Sequence, residues 1–169
     1  ESFENNTAIV IKDEVYQVIT KEGEVLFTSQ NRIRRFAEHF IFENDSITTM
    51  LNLQGDTLFQ AEDVEFGFPE SELVPFLLDD LVGFMNKEGK VVIAPKFSSY
   101  PNVLVFSKFK NGHAKVYDEK SGKFGLIDTL GNWKFSPRYN DISFYSDIVA
   151  AKRGEFWEFF DTRQNKKWN

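Results

Sequence analysis

His39 and His113 are the only histidines in the 169-residue chain, and it contains no cysteine. A nucleophilic centre sets an activated Ser, Thr or Cys beside a base that is itself held in place. No Gly-x-Ser-x-Gly elbow accompanies either imidazole, and each His opens a strand-like run, so a structural role is expected for both. Zinc centres draw on several His or Cys ligands, which two distant imidazoles do not supply. Neither a Gly-x-x-x-x-Gly-Lys-Ser/Thr nor a Gly-x-Gly-x-x-Gly phosphate cradle occurs. The 26 acidic residues guarantee that some carboxylate pair falls at a glycosidase-like separation, so such a pair carries no information. The sequence therefore predicts no catalytic, cofactor-binding or metal-ligating residue, and a protein that is not an enzyme.

Two charged runs and one insertion are the places where a partner could be recognised. The run Glu62-Asp63-Val64-Glu65-Phe66-Gly67-Phe68-Pro69-Glu70-Ser71-Glu72 holds five acids and no base. It could dock a basic partner, but it lacks the alternating Asp/Asn spacing of a Ca²⁺ loop. Its carboxylates, Glu62, Asp63, Glu65, Glu70 and Glu72, are candidate partner-binding residues beside the plainer reading of a solvated loop. Arg32-Ile33-Arg34-Arg35 is the opposite case: it could meet an anionic ligand, or be exposed or internally paired. Residues 98–111 form a long insertion containing the apolar run Val103-Leu104-Val105-Phe106. Insertions in repeat proteins map to loops on one face, often the binding face. Tyr100, Val103, Leu104 and Phe106 are candidates for such a contact, beside a reading in which they pack down as core.

The rest of the composition narrows the partner class. Twenty Lys+Arg against 26 Asp+Glu give a net charge of −6. Nucleic-acid binding neutralises phosphates with Lys and Arg, so it is not expected. No segment approaches the roughly 20 apolar residues that span a bilayer, so the chain is expected to be soluble, with a cytoplasmic setting slightly favoured. The 19 Phe and 41% hydrophobic content supply a core that a disordered chain lacks.

The elements that must position these residues repeat. Lys21-Glu22-Gly23, Leu53-Gln54-Gly55, Lys87-Glu88-Gly89 and Thr129-Leu130-Gly131 each end a turn on Gly, at spacings of 32, 34 and 42 residues. A degenerate fifth copy falls at Thr162-Arg163-Gln164-Asn165. Glycine suits a tight hairpin because it adopts positive φ without a Cβ clash. Strand-like runs precede each turn at 15–20, 47–52, 82–86, 124–128 and 156–161, and follow it at 25–28, 57–60, 91–93, 132–135 and 166–168. A third run precedes each hairpin at 8–12, 39–43, 73–78, 113–117 and 148–152. The unit is a three-stranded meander followed by a loop of roughly 9 to 15 residues. Only residues 31–38 offer a helical pattern, and at that length a helix is marginal.

Two copies carry a recognisable signature. Gly122-Lys123-Phe124-Gly125-Leu126-Ile127-Asp128-Thr129-Leu130-Gly131, followed by Ser136-Pro137-Arg138-Tyr139, resembles the WG repeat. Leu81-Val82-Gly83-Phe84-Met85-Asn86-Lys87-Glu88-Gly89, continuing to Pro95-Lys96-Phe97, is similar over its whole length. The lead-ins Asn111-Gly112-His113-Ala114-Lys115-Val116 and Asp147-Ile148-Val149-Ala150-Ala151-Lys152 follow the same pattern. The position of the tryptophan in the family name is held by Val82, Phe124 or Trp157, and the glycine after it is replaced by Thr49 and Glu158 in the second and last copies. The resemblance implies a bacterial β-repeat protein whose motif positions are structural, and it transfers no catalytic residue. In this reading Gly83 and Gly125 leave room for a neighbouring ring or backbone, and each Pro ends strand pairing. Phe97 and Tyr139 fold back onto the core.

The expected fold is all-β: five tandem antiparallel meanders at 8–28, 39–60, 73–97, 113–139 and 148–168, in a propeller-like or open stacked array. The expected function is a non-catalytic module binding another protein through its inter-unit loops. A carbohydrate or cell-envelope binding module is the alternative, as is an inhibitor or immunity-type protein that blocks a basic target. Trp133, Trp157 and Trp168 would carry sugar stacking, or be partly buried at their repeat positions.

Overall fold

The structure, a computed structural model, describes residues 3–44, 46–67, 69–99, 107–163 and 166–168, the last three as backbone. These residues form antiparallel strands, turns and bends with no helix. Contacts divide the chain into two compact units, one of residues 1–64 with 88–90 and one of 65–87 with 91–169.

The first unit holds two sheets. β1 (Thr7–Lys12), β2 (Val15–Thr20) and β3 (Val25–Ser29) form a meander, and β4 (Ile33–Phe36), β5 (His39–Asn44), β6 (Ile47–Leu51) and β7 (Thr57–Glu62) form a four-stranded one. Period-2 alternation places Ile9 and Val18 on one side of the first sheet, where they bury with Ile33 and Phe40 of the next. In the second unit, β8 (Glu65–Phe66), β9 (Val74–Leu78), β10 (Leu81–Met85) and β11 (Val91–Ser98) continue into β12 (His113–Asp118), β13 (Lys123–Asp128) and β14 (Trp133–Tyr139) as one seven-stranded sheet. The continuity rests on the single pair Ser98↔Tyr117. β15 (Asp141–Tyr145), β16 (Ile148–Arg153), β17 (Phe156–Asp161) and β18 (Lys166–Trp168) complete the unit as a four-stranded sheet.

The glycine turns fall where the sequence places them. Gly23, Gly55, Gly89 and Gly131 take φ of +88°, +88°, +79° and +79° at the tips of β2–β3, β6–β7, β10–β11 and β13–β14. Gly131 N donates to Asp128 O at 2.9 Å, and the register slips beside the turn. That is a type I turn closed by a left-handed residue, the bulged hairpin that demands glycine. The residue opening the turn caps it: Asp128 Oδ1 accepts from Leu130 N and Asn132 N at 3.0 and 2.9 Å. Asn52 Oδ1 accepts from Gln54 N and Asp56 N at 2.9 and 2.8 Å in the second copy. Thr20 accepts from Glu24 N in the first copy, and Asp161 from Arg163 N in the last. The Gln164-Asn165 turn itself lies outside the described residues.

Burial pushes the Asp128 carboxyl up, but hydrogen bonds from the Asn132 backbone and side chain and from Leu130 N outweigh it and hold the pKa below its usual value. A depressed folded pKa stabilises the fold above the unfolded pKa and loses that contribution as pH falls through the folded one. Asp128→Ala is therefore expected to cost about 1–2 kcal/mol at neutral pH, and less once pH falls below the carboxylate range. Urea unfolding at pH 7 and pH 3 checks both the cost and its sign.

Three expectations need correction. Within the stretch 31–38, Ile33–Phe36 form strand β4 and not a helical turn: Ile33 and Phe36 bury as a strand edge pairing Phe42 and His39. The inter-unit connections contain paired strands, β4, β8 and β15, because each otherwise bare edge of β5, β9 and β16 takes up a fourth strand. Pro95 and Pro137 do not end pairing. Each sits in a register shift within β11 or β14, between Phe84↔Ile93 and Val82↔Phe97, and between Leu126↔Phe135 and Phe124↔Tyr139. The bulge absorbs the missing N–H and the strand runs on.

Candidate functional site

The repeat positions themselves define a surface. On β10, Val82 and Phe84 are fully buried against Ala114, Val116 and Ile127 of the following meander. Phe124 and Leu126 of β13 pack forward in the same way one repeat later. Ile127 faces back into that cluster, while Leu126 faces forward, fully buried among Ile142, Val149, Ala151 and Phe160. Phe124 packs beside Leu126 in the same cluster. Counting back from the turn-capping Asp128 and Asp161, Trp157 and Phe159 are the equivalents of Phe124 and Leu126. Phe160, equivalent to Ile127, faces back as expected. Trp157 and Phe159 face forward and are 41% and 42% exposed.

Alternation and register identify the rest of this leading face. Phe159 lies opposite Ala150, which lies opposite Ser143; Trp157 lies opposite Lys152, and Tyr145 opposite Ile148. Tyr145 is 62% exposed. The Lys152 ammonium stands 6.0 Å from the centre of the Trp157 ring, a range at which a cation is drawn to an aromatic face. The surface is thus a β-sheet face of two aromatics flanked by a tyrosine and a lysine. Single exposed apolar residues are ordinary, but a contiguous group of them marks a contact surface.

Glu158 of the same sheet meets Tyr139 of β14. Tyr139 is fully buried, and its hydroxyl donates to Glu158 Oε2 at 2.8 Å while accepting from Arg138 Nη2 at 3.0 Å. Burial pushes the phenol pKa up, opposed by the Arg138 hydrogen bond and aided by Glu158. Glu158 occupies the position of Gly83 and Gly125, so the last copy exchanges a gap for a polar anchor. Phe97 is 5% exposed and Tyr139 fully buried, as expected of residues that fold back onto the core. Trp133 lies against Gly125 and meets Phe97 edge-on at 5.6 Å, with 42% of its surface left to solvent. The side chain of Trp168 lies outside the described residues.

The sequence-predicted partner residues fall in both compact units. Glu62 and Asp63 belong to the first compact unit and Glu65, Glu70 and Glu72 to the second. All five are exposed. Glu62 closes β7 opposite Ile47, Glu65 pairs with Leu77, and Glu72 accepts a hydrogen bond from Gly112 N at 3.1 Å. Tyr100, Val103, Leu104 and Phe106 lie outside the described residues. The end of that insertion packs inward: Ser107 and Phe109 are buried, and Phe109 N donates to Ser71 Oγ at 3.0 Å. His113 is held structurally, its Nδ1 2.8 Å from Asn111 O and its ring against Phe160. Among the described residues no group of three His, Cys, Asp or Glu is placed to hold a metal ion, and no helix is long and apolar enough to cross a membrane. Trp157 and Phe159 as a solvent-facing pair were not singled out by the sequence reading. Their spacing of two before a turn-capping Asp was the available signal.

Solved structures similar to this chain share little sequence with it. Kluyveromyces lactis Hsv2 is 12% identical, with 97% of this chain and 59% of that one covered and a TM-score of 0.43. The Neurospora crassa Pan2 WD40 domain is 11% identical, with 95% and 64% covered and a TM-score of 0.36. PorZ, a surface component of the Porphyromonas gingivalis type-IX secretion system, is 10% identical, with 98% and 26% covered and a TM-score of 0.43. The chain spans less than two thirds of each. No curated protein matches it. A family model does match, over residues 83–119 and 124–157. Those stretches contain the forward pair of half-buried Phe124 and buried Leu126, the glycines that admit a ring, and Tyr139. Over those two stretches the chain is similar to the WG containing repeat.

Proposed function

We propose that this chain is a non-catalytic β-repeat interaction module that binds another protein through the leading face of the β15–β17 sheet. The observation that carries the reading is the contrast at one repeat position: Leu126 is fully buried by the next meander, whereas Phe159 is 42% exposed. Aromatic side chains contribute large contact area at low entropic cost and dominate interface energetics. Lys152 and Tyr145 supply the polar rim that such a contact uses. The acidic residues Glu62, Asp63, Glu65, Glu70 and Glu72 form solvated segments outside this face and would act through long-range steering.

The test compares capture by the wild-type chain with capture by Phe159→Asp and Trp157→Ala, followed by binary titration of the recovered protein. Either substitution is expected to weaken the complex by tenfold or more while costing no more than about 1 kcal/mol of unfolding free energy. Equal binding by both variants would place the contact elsewhere. Retention by an oligosaccharide panel, lost in Trp157→Ala, with no protein captured, would favour the carbohydrate reading instead.

A further inference from the structure

A second feature lies in the first compact unit, whereas the proposed protein contact belongs to the second. Between β1 and β4 runs a groove of about 640 Å³, inside the range of small-molecule sites. Its floor is apolar: Ile9 and Ile33 are 5% and 3% exposed. Ile11 and Tyr16, paired across β1 and β2, form one wall. The other side is the run singled out in the sequence, and all three of its arginines line the groove. Among the described residues no acidic one lines it.

The three guanidinium groups are not equivalent. Arg35 is fixed: Nη2 donates to Thr7 O and Oγ1 at 3.0 and 2.9 Å, and Nε stands 3.4 Å from Glu4. Arg34 donates from Nε to Glu43 at 2.6 Å. Arg32 is exposed and makes no ion pair among the described residues. Among the described residues Glu43 pairs with Arg34 and Glu4 with Arg35, and the Glu4 side chain is 67% exposed, so solvent screens its share of the neutralisation. On a chain of net charge −6, this is a local cationic rim over an apolar trough. Arginine suits planar carboxylate and phosphate oxygens, and protein partners that hold Arg34 and Arg35 pre-organise the rim.

We infer that this groove binds a small amphipathic anion, with its carboxylate or phosphate head at Arg32 and its apolar stem along Ile9, Ile11 and Tyr16. Neither half of the site suffices: an exposed arginine alone holds an anion weakly, and an open apolar trough alone has no orienting group.

The experiment is a titration of the whole chain with phenyl phosphate and with phenylacetate, followed by methyl and amide NMR shifts and by calorimetry. Inorganic phosphate and benzyl alcohol serve as head-only and stem-only probes. At least one of the two amphipathic anions is expected to bind saturably and shift Ile9, Ile11, Tyr16 and 32–35. Arg32→Ala is expected to weaken that binding about tenfold or more, the loss of one charge-assisted contact. Arg32→Lys restores part of it, and Ile11→Asp removes it. Because Arg32 and Ile11 are both exposed, these variants keep the wild-type fold, which their spectra verify. Saturation by neither anion, shifts confined to other residues, or equal affinity in Arg32→Ala would overturn the inference. So would inorganic phosphate or benzyl alcohol binding as tightly as the amphipathic probes.

Discussion

Gly125→Ala destabilises the chain by about 1–3 kcal/mol, the range for forcing a group into a packed interior. In an unconstrained strand the same change would stabilise, since alanine loses less backbone entropy on folding. Gly125 instead lies under the Trp133 ring, and an added Cβ would stand 2.8 Å from the Phe135 carbonyl oxygen. A side-chain tip can rotate away, but a carbonyl in a strand ladder moves only with its sheet. Gly83 repeats the arrangement one meander earlier, against the Phe76 ring at 2.8 Å and the Ile93 carbonyl at 2.9 Å. Gly83→Ala should therefore fall in the same range. Urea midpoints at unchanged slope measure both. A neutral or stabilising outcome at both sites would mean that the family glycine is not there to admit a ring.

Leu126→Ala is the second large effect, at about 2–5 kcal/mol, the range for truncating a buried leucine where the surroundings collapse only in part. Leu126 is fully buried between its own sheet and Ile142, Val149, Ala151 and Phe160 of the next. Two strands and a second sheet frame the site, so little can move in to fill the cavity. The loss should appear as a lower midpoint with no change in β content by circular dichroism.

Much of this packing was legible in the residues. Gly23, Gly55, Gly89 and Gly131 announced the hairpin tips because a left-handed turn position leaves few alternatives, and strand runs on each side followed from period-2 patterning. The capping residues Thr20, Asn52, Asp128 and Asp161 stood at one repeat position. The fourth strands did not stand out, because they are short and irregular. Glu65–Phe66 is two residues long, and Ile33–Phe36 carries two arginines. Their pairing is dictated by a bare strand edge that sequence patterning does not display. The proline bulges were hidden for a related reason: a missing N–H reads locally as an end of pairing, whereas the neighbouring strand can accommodate it by a register shift. The acidic loop attracted notice through charge alone, and charge shows neither which carboxylates meet nor which serve the backbone, as Glu72 does for Gly112. For Trp157 the sequence left sugar stacking and partial burial side by side, and Phe159 did not stand out among the strand residues. Whether another sheet covers that position is a property of the packing, not of the residue.

The most direct test is equilibrium unfolding of Leu126→Ala and Phe159→Ala side by side. The two positions are equivalent in the repeat, so pattern and propensity treat them alike, and only the covering sheet distinguishes them. The account predicts that Leu126→Ala costs about 2–5 kcal/mol and Phe159→Ala less than about 1 kcal/mol. Comparable losses at the two positions, or a larger loss at Phe159, would contradict it.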